Sequence, residues 1–199
     1  HQLWWGAMAM DVGAITPFFH AFREREIIND IMEQTCGARL TMNFIVPGGC
    51  MYDLHPDFVK SVKDFIVFFK SKLSEYDEMV TNNPIFQARM QNVGSITKEN
   101  AISYGCSGPV ARAAGVVCDV RKLSPYDVYS QVEFTEAIEK EGDCFARYKV
   151  RMKEMNESMR IIEQLIDNIP EGEFQAKTKA VLKLPKGDFY SNVETARGD

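Results

Sequence analysis

Apolar residues recur at intervals of three and four along most of the 199-residue chain, which predicts a predominantly helical protein. The helical patterns cover about residues 3–34, 56–81, 98–104 and 143–168. We expect the first to break at Thr16-Pro17, because a proline disfavours helical backbone in the residue before it and suits a first helical turn. Apolar segments at 40–46 and 189–194 predict short strands, and residues 122–134 look extended or turn-like. The pattern predicts one mainly α domain over residues 1–199, with small β additions.

Composition narrows the class of protein without identifying a function. The chain is 45% hydrophobic and 26% charged, as in globular proteins, and its net charge of −5 argues against a nucleic-acid partner, which needs a basic face. Five cysteines without a C-x-x-C pair predict free thiols. The chain opens at His1, inside an apolar helical pattern and without a methionine. We therefore expect an internal fragment of a longer subunit whose N- and C-terminal parts are missing.

Motifs for metal and nucleotide chemistry are missing from the sequence. The three histidines share no ligand spacing, and neither H-E-x-x-H nor a glycine-rich phosphate loop occurs, so we expect no metal site. The charged run FREREIIND, residues 22–30, is typical of a solvated helix face. Asp11 is more suggestive, because it is the only ionisable residue in AMAMDVGAIT. A buried carboxylate there would need a partner or a shifted pKa, whereas an Asp on the helix surface would need neither.

A second unusual stretch is TCGARLTMNFIVPGG, residues 35–49. Gly37 suits the end of a helix. Arg39 and Thr41 then lie at the start of the predicted strand, and Pro47-Gly48-Gly49 forms the turn after it. The residues alone indicate a helix-to-strand junction that carries one cation.

Four stretches together resemble one family, and they cover essentially the whole chain in the family's order. They are HQLWWGAMAMDVGAITPFFHAFREREIINDIMEQTCGARL, ENAISYGCSGPVARAAGVVCDVRKLSPYDVYSQVEF, EGDCFARYKVRMKEMNESMRIIEQ and YSNVETARGD, the last with Thr195-Ala196 where the family has Ala-Pro. The chain resembles the 49-kDa-type (D-type) subunit of proton-pumping NADH:quinone oxidoreductase, which is respiratory complex I. The resemblance implies a helical bundle of the [NiFe]-hydrogenase large-subunit and complex I 49-kDa type. It also implies a part of the quinone site of a translocase, with the isolated fragment inactive.

The resemblance assigns roles to residues near the first two predicted helices. Asp11 matches the family aspartate that partners the histidine at the quinone head-group. Leu3 and Phe18 match positions that line the quinone pocket. The head-group histidine and the tyrosine that binds the quinone belong to family segments upstream of His1.

The resemblance also places the junction after the second helix near the terminal iron–sulfur cluster, which the neighbouring small subunit carries. Arg39 matches a family arginine near that cluster. Thr41 stands where many members have a histidine, and Val46 stands where those members have an arginine. Losing positive charge there makes the cluster harder to reduce, which favours menaquinone over ubiquinone.

The implied partners are other complex I subunits, above all the small subunit with the terminal cluster and the adjacent membrane arm. The implied location is peripheral, on the cytoplasmic side of a bacterial cell membrane, and the fragment itself is expected to bind no cofactor. One alternative is the large subunit of a membrane-bound, energy-converting [NiFe] hydrogenase, whose nickel-binding C-x-x-C pairs would lie before His1 and after Asp199. Another is a helical scaffold without a redox role. The stretch DVYSQVEF favours complex I.

Overall fold

Eight α-helices account for most of the regular structure in the computed structural model, which describes residues 1–178, 183 and 185–199. They are α1 (Gln2–Asp11), α2 (Ile15–Cys36), α3 (Phe58–Tyr76), α4 (Pro84–Met90), α5 (Lys98–Ser103), α6 (Gly108–Ala113), α7 (Val120–Leu123) and α8 (Cys144–Ile166). Two-residue strands β1 (Ile45–Val46) and β2 (Gly49–Cys50) pair antiparallel. The predicted mainly α fold class is confirmed.

Helices α1 and α2 form a tight hairpin. The buried residues of α1 are spaced by three and four, which defines one face of the helix: Gln2, Trp5, Gly6 and Ala9. A Cβ at Gly6 would lie 3.1 Å from the Cβ of Ala21, so glycine allows the two helices to approach closely. The chain reverses at residues 12–14 rather than at Thr16-Pro17, because Gly13 adopts a φ of +95°. Pro17 lies in the first turn of α2, where its missing N–H has no partner to lose.

The main core lies where α3 and α8 pack against this hairpin. The contributing residues of α3 are Ile66, Phe69, Leu73 and Tyr76, and those of α8 are Tyr148, Met152, Met155 and Met159. The rings of Trp5 and Tyr76 stack with centroids 3.8 Å apart. Burying side chains of this size stabilises the fold by roughly 2 kcal/mol each. The buried residues of α3 and α8 recur at intervals of three and four, as the helical patterns over 56–81 and 143–168 predict.

The start of α8 is fixed to the loops before α5 and after α6. Asp143 caps α8 by accepting a hydrogen bond from Ala146 N–H at 2.7 Å, and it also accepts one from Asn92 N–H at 2.8 Å. Next to it, Gly142 N–H donates to Ala113 O at 2.9 Å, and Gly142 O accepts from Ile96 N–H at 3.0 Å. These bonds position the small helices against α8.

The predicted strands are mostly wrong. The one expected at 40–46 is reduced to β1, because Thr41 has a φ of 52° and cannot continue an extended segment. Residues 189–194 form no strand, and the nearest pairing is an isolated bridge between Thr195 and Gly198. Instead of a neighbouring strand, this segment meets a buried guanidinium through Glu194.

Two glycines with similar backbone conformations provide a test of this packing. Gly142 has a φ of 65°, and a Cβ there would lie 2.1 Å from Ile96 O; Gly105 has a φ of 63° and nothing within 4 Å. We expect Gly105→Ala to reduce the free energy of unfolding by about 1 kcal/mol, the usual cost of left-handed backbone. Gly142→Ala should cost clearly more, because it also displaces Ile96. Urea unfolding of both variants measures the difference, and equal losses would contradict the close approach.

Candidate functional site

The structure places Leu3, Asp11 and Phe18 on the α1–α2 hairpin. Asp11 is the last residue of α1 and is exposed, so the structure supports an Asp on the helix surface and contradicts the alternative of a buried one. The reason is helical phase: Asp11 follows the buried Ala9 by two residues, about 200° around the helix. Among the described residues, no basic side chain forms an ion pair with its carboxylate.

Several of the exposed side chains on this hairpin are large and apolar. Leu3 is 53% exposed, and the other exposed apolar side chains there are Met10, Ile15 and Phe19. Phe18 is half-buried, and its ring centroid lies 4.2 Å from that of Phe22. A cleft of about 220 Å³ opens beside the α1–α2 turn, between that turn and α4. The residues that line this cleft do not include Leu3, Asp11 or Phe18, so in the part of the chain that the structure describes this cleft does not bring the three together.

Arg39 and Thr41 lie beyond the other end of α2, a helix about 33 Å long. The Arg39 guanidinium turns back along α2 and pairs with Asp30 at 2.5 Å, with Glu33 at 2.8 Å and with Glu26. The bonds to Asp30 and Glu33 raise the pKa of Arg39. Three carboxylates and one guanidinium leave this group with a net charge of −2 (−3 + 1).

Thr41 has an unusual backbone conformation. Its φ of 52° lies in the left-handed region, where β-branched residues are rare and where asparagine and histidine are enriched. Its side chain is exposed, and the hydroxyl donates to the neighbouring Leu40 O at 2.7 Å. The backbone at this position therefore suits asparagine or histidine better than it suits threonine.

Sequence reasoning missed a buried ionic network around Arg112, which is 1% exposed. Its guanidinium donates to Glu154 of α8 at 2.8 Å, to Glu194 of the C-terminal segment at 2.9 Å and to Cys118 O at 2.8 Å. The carboxylate of Asp119 lies 3.9 Å away. The only signal in the sequence was a lone cation among small residues, in GPVARAAG.

Beside this network, the pKa values of Asp119 and Glu136 shift in opposite directions. Burial alone would raise the pKa of Asp119, but the hydrogen bonds and charge of Arg121 outweigh burial and hold the pKa below its usual value. Burial and the charge of Asp119 raise the pKa of Glu136, whose Oε2 has no hydrogen-bond partner among the described residues. One carboxyl is thus held ionised, and the other is pushed toward its neutral form.

A further buried carboxylate lies in residues 22–30, the charged run that was expected to be a solvated helix face. Glu24 is completely buried, and it accepts a hydrogen bond from the hydroxyl of Tyr76 at 2.9 Å. Its other carboxylate oxygen pairs with Arg23. The expected exposure to solvent is confirmed for Arg23 and Glu26. It is wrong for Glu24, whose side chain faces α3.

Comparisons with known proteins identify the same family that the four sequence stretches resemble. Residues 11–199 match the family described as "Respiratory-chain NADH dehydrogenase, 49 Kd subunit". The chain belongs to this family. A C/D-type subunit of NADH-quinone oxidoreductase from Bacteroides thetaiotaomicron is 54% identical over 199 residues, which are 100% of this chain and 38% of that protein. The D-type subunits of the same enzyme from Clostridium beijerinckii and Geobacillus kaustophilus are 41% and 42% identical, and in both the match covers 100% of this chain and 54% of the relative.

The chain thus spans between 38% and 54% of the length of these 49-kDa-family relatives. In the part of it that the structure describes, no three His, Cys, Asp or Glu side chains are grouped as metal ligands would be. Within the same residues, none of the helices combines the length and the hydropathy of a membrane span.

Arg112 and Arg39 form a matched pair for testing the network, since each faces three carboxylates. Arg112→Leu leaves Glu154 and Glu194 buried without the guanidinium that pairs with them, whereas Asp119 keeps Arg121. We therefore expect a loss of about 3–5 kcal/mol in the free energy of unfolding. Arg39→Leu should cause a small loss that shrinks as salt is added, because exposed ion pairs are screened. Urea unfolding at low and high salt measures both, and a small loss for Arg112→Leu would refute the network.

Proposed function

We propose that this chain is part of the quinone-reducing subunit of a bacterial NADH:quinone oxidoreductase. The observation that carries the proposal is the match of residues 11–199 to the 49-kDa family, together with relatives named as the D-type and C/D-type subunits of that enzyme. Electrons arrive from an iron–sulfur cluster held by a partner subunit, and this chain supplies part of the cavity in which quinone is reduced. The fragment itself binds neither NADH nor the cluster.

The exposed side of the α1–α2 hairpin supports the proposed quinone wall. Leu3 is unburied within this chain, and Phe18 only half-buried, so both can contact a flat apolar ring. Asp11 lies at the C-terminal end of α1, where the helix dipole disfavours a carboxylate. A histidinium from a segment outside residues 1–199 would relieve that repulsion. Asp11 would then set the orientation and protonation of the head-group histidine.

The surroundings of Arg39 and Thr41 support a low-potential cluster and hence menaquinone. The Arg39 charge is outweighed by the carboxylates of α2, and Thr41 cannot ionise. Negative charge near a cluster disfavours its reduction. A quinone of lower potential, menaquinone rather than ubiquinone, matches such a donor.

Membrane association is proposed to come from partner subunits. The small subunit with the terminal cluster would cover the region of Arg39 and Thr41. The membrane arm would lie on the side from which the quinone tail enters. The complex would expose this subunit on the cytoplasmic side of the bacterial membrane.

Asp11→Asn in the full-length subunit tests the quinone assignment. We expect quinone reductase activity of the assembled complex to fall by about 100-fold, a typical contribution of a group that controls protonation. NADH oxidation with an artificial acceptor should be unchanged, because it precedes the quinone step. Asp64→Asn, an exposed carboxylate on α3, serves as control and should leave both rates unchanged. Normal quinone turnover in Asp11→Asn would remove Asp11 from the site.

Thr41→His tests the proposed effect on the cluster, and Thr41→Asn is its matched control. Both residues tolerate left-handed backbone, but only histidine ionises near neutral pH. Protonated histidine stabilises the reduced cluster, so the midpoint potential should rise at low pH and fall again as pH passes the histidine pKa, at about 6.5. Redox titration followed by EPR measures both variants. A midpoint of Thr41→His that is unchanged and independent of pH would refute the account.

A further inference from the structure

Glu24 and Tyr76 form a buried acid–phenol pair with no role in the quinone site proposed above. Both residues are 0% exposed, and the hydroxyl of Tyr76 donates to Glu24 Oε2 at 2.9 Å. The opposite oxygen, Oε1, accepts from Arg23 Nε at 3.1 Å. A buried carboxylate is costly, and an amide could accept the same hydrogen bond from Tyr76. What a carboxylate adds is the ability to take up the phenolic proton.

Oxidisable rings connect this pair to the edge of the core. Tyr76 stacks on Trp5 with centroids 3.8 Å apart and planes inclined by 11°. Trp5 Nε1–H donates to the hydroxyl of Tyr148 at 3.3 Å, and Tyr148 lies 5.8 Å from the ring of Trp4. Trp4 is half-buried beneath the guanidinium of Arg151. Both tryptophans of the chain therefore lie on one path that ends at Tyr76.

Tyr76 is the member of this path with a base in direct contact. Burial and then the charge of Glu24 raise the pKa of Tyr76, so the resting phenol keeps its proton. Removing an electron makes a phenol strongly acidic, and Glu24 is placed to receive the proton. Tyr148 differs, because its hydroxyl meets Trp5 and the hydroxyl of Thr81, with the carboxylate of Asp77 one hydrogen bond further away.

We propose that Trp5, Tyr76 and Glu24 form a redox-active site that traps an oxidising equivalent as a neutral tyrosyl radical. A one-electron oxidant, such as an oxygen-derived radical, takes an electron from an indole on the path and is itself reduced. Tyr76 returns an electron to the oxidised Trp5, its O–H bond breaks, and the proton forms a new O–H bond on Glu24. A later one-electron donor, such as a thiol, reduces the radical and is itself oxidised, and the proton returns from Glu24 to the oxygen of Tyr76.

The charges around the pair favour this transfer. Before it, Glu24 is a buried anion, and afterwards both Glu24 and the tyrosyl are neutral, so the core loses a buried charge. Arg23 keeps its cation, and since its side chain is 57% exposed, water can solvate it. The other polar groups facing this region are Gln2 on α1, His20 on α2, and Lys72 and Glu75 on α3.

The test uses the full-length subunit in the purified complex and needs no quinone turnover, so its result is independent of the proposed function. A soluble ruthenium(II) tris-bipyridine, oxidised by a flash with a sacrificial acceptor, supplies the one-electron oxidant. Freeze-quench EPR follows the tyrosyl signal in H₂O and in D₂O. We expect Tyr76→Phe to lose most of the wild-type signal. Tyr126→Phe, a half-buried tyrosine away from both tryptophans, should keep it.

Glu24→Gln tests the proton acceptor itself. It keeps a hydrogen-bond acceptor for Tyr76 but cannot take the proton, so the signal should form more slowly and lose its solvent isotope effect. An unchanged rate and isotope effect would reduce Glu24 to a structural partner and overturn the site. A wild-type signal in Tyr76→Phe would overturn it as well. If these variants do not assemble, Trp5→Phe keeps a ring in the stack without an indole, and an unaltered signal in that variant would refute the path.

Discussion

The guanidinium of Arg112 is withdrawn from water, and carboxylates from distant parts of the chain surround it. Glu154 reaches it from α8 and Glu194 from the C-terminal segment, while Cys118 O accepts a third bond from the loop before α7. A buried cation tolerates the loss of such partners poorly, so these elements have one favourable arrangement. The placement of α6 against α8, and of residues 194–199 against both, depends on this network.

Arg39 shows how strongly burial determines the contribution of an ion pair to stability. It also meets three carboxylates, yet all of them are on α2 and all are exposed. Water screens the group, so its contribution to stability is small. Its main effect is on the electrostatic potential of the surface. The two arginines thus have similar partners but different effects. Arg112 stabilises the fold, and Arg39 influences the charge of the surface.

The long helices could be predicted from sequence because their apolar stripes are regular, as in α3 and α8. The short helices α4, α6 and α7 were not predicted, since four to seven residues are too few to show a helical period. The strands could not be predicted, since a two-residue ladder such as β1–β2 has no periodicity to detect. The Arg112 network could not be predicted from the sequence either, because Arg112 and Glu194 are 82 residues apart and only the fold brings them together. Leu3, Asp11, Phe18, Arg39 and Thr41 were placed by resemblance to a family. Their exposure and partners depend on packing, which a motif does not specify.

Asp11 and Glu24 reverse the burial that their neighbours in sequence suggest, and the same cause explains both. Local composition averages over all sides of a helix, whereas burial depends on the angle at which one residue projects. Asp11 lies in an apolar run but projects away from the face of α1 that packs on α2. Glu24 lies in a charged run but projects onto Tyr76. The carboxylate left at the surface suits contact with another segment or protein, and the buried one suits chemistry inside this chain.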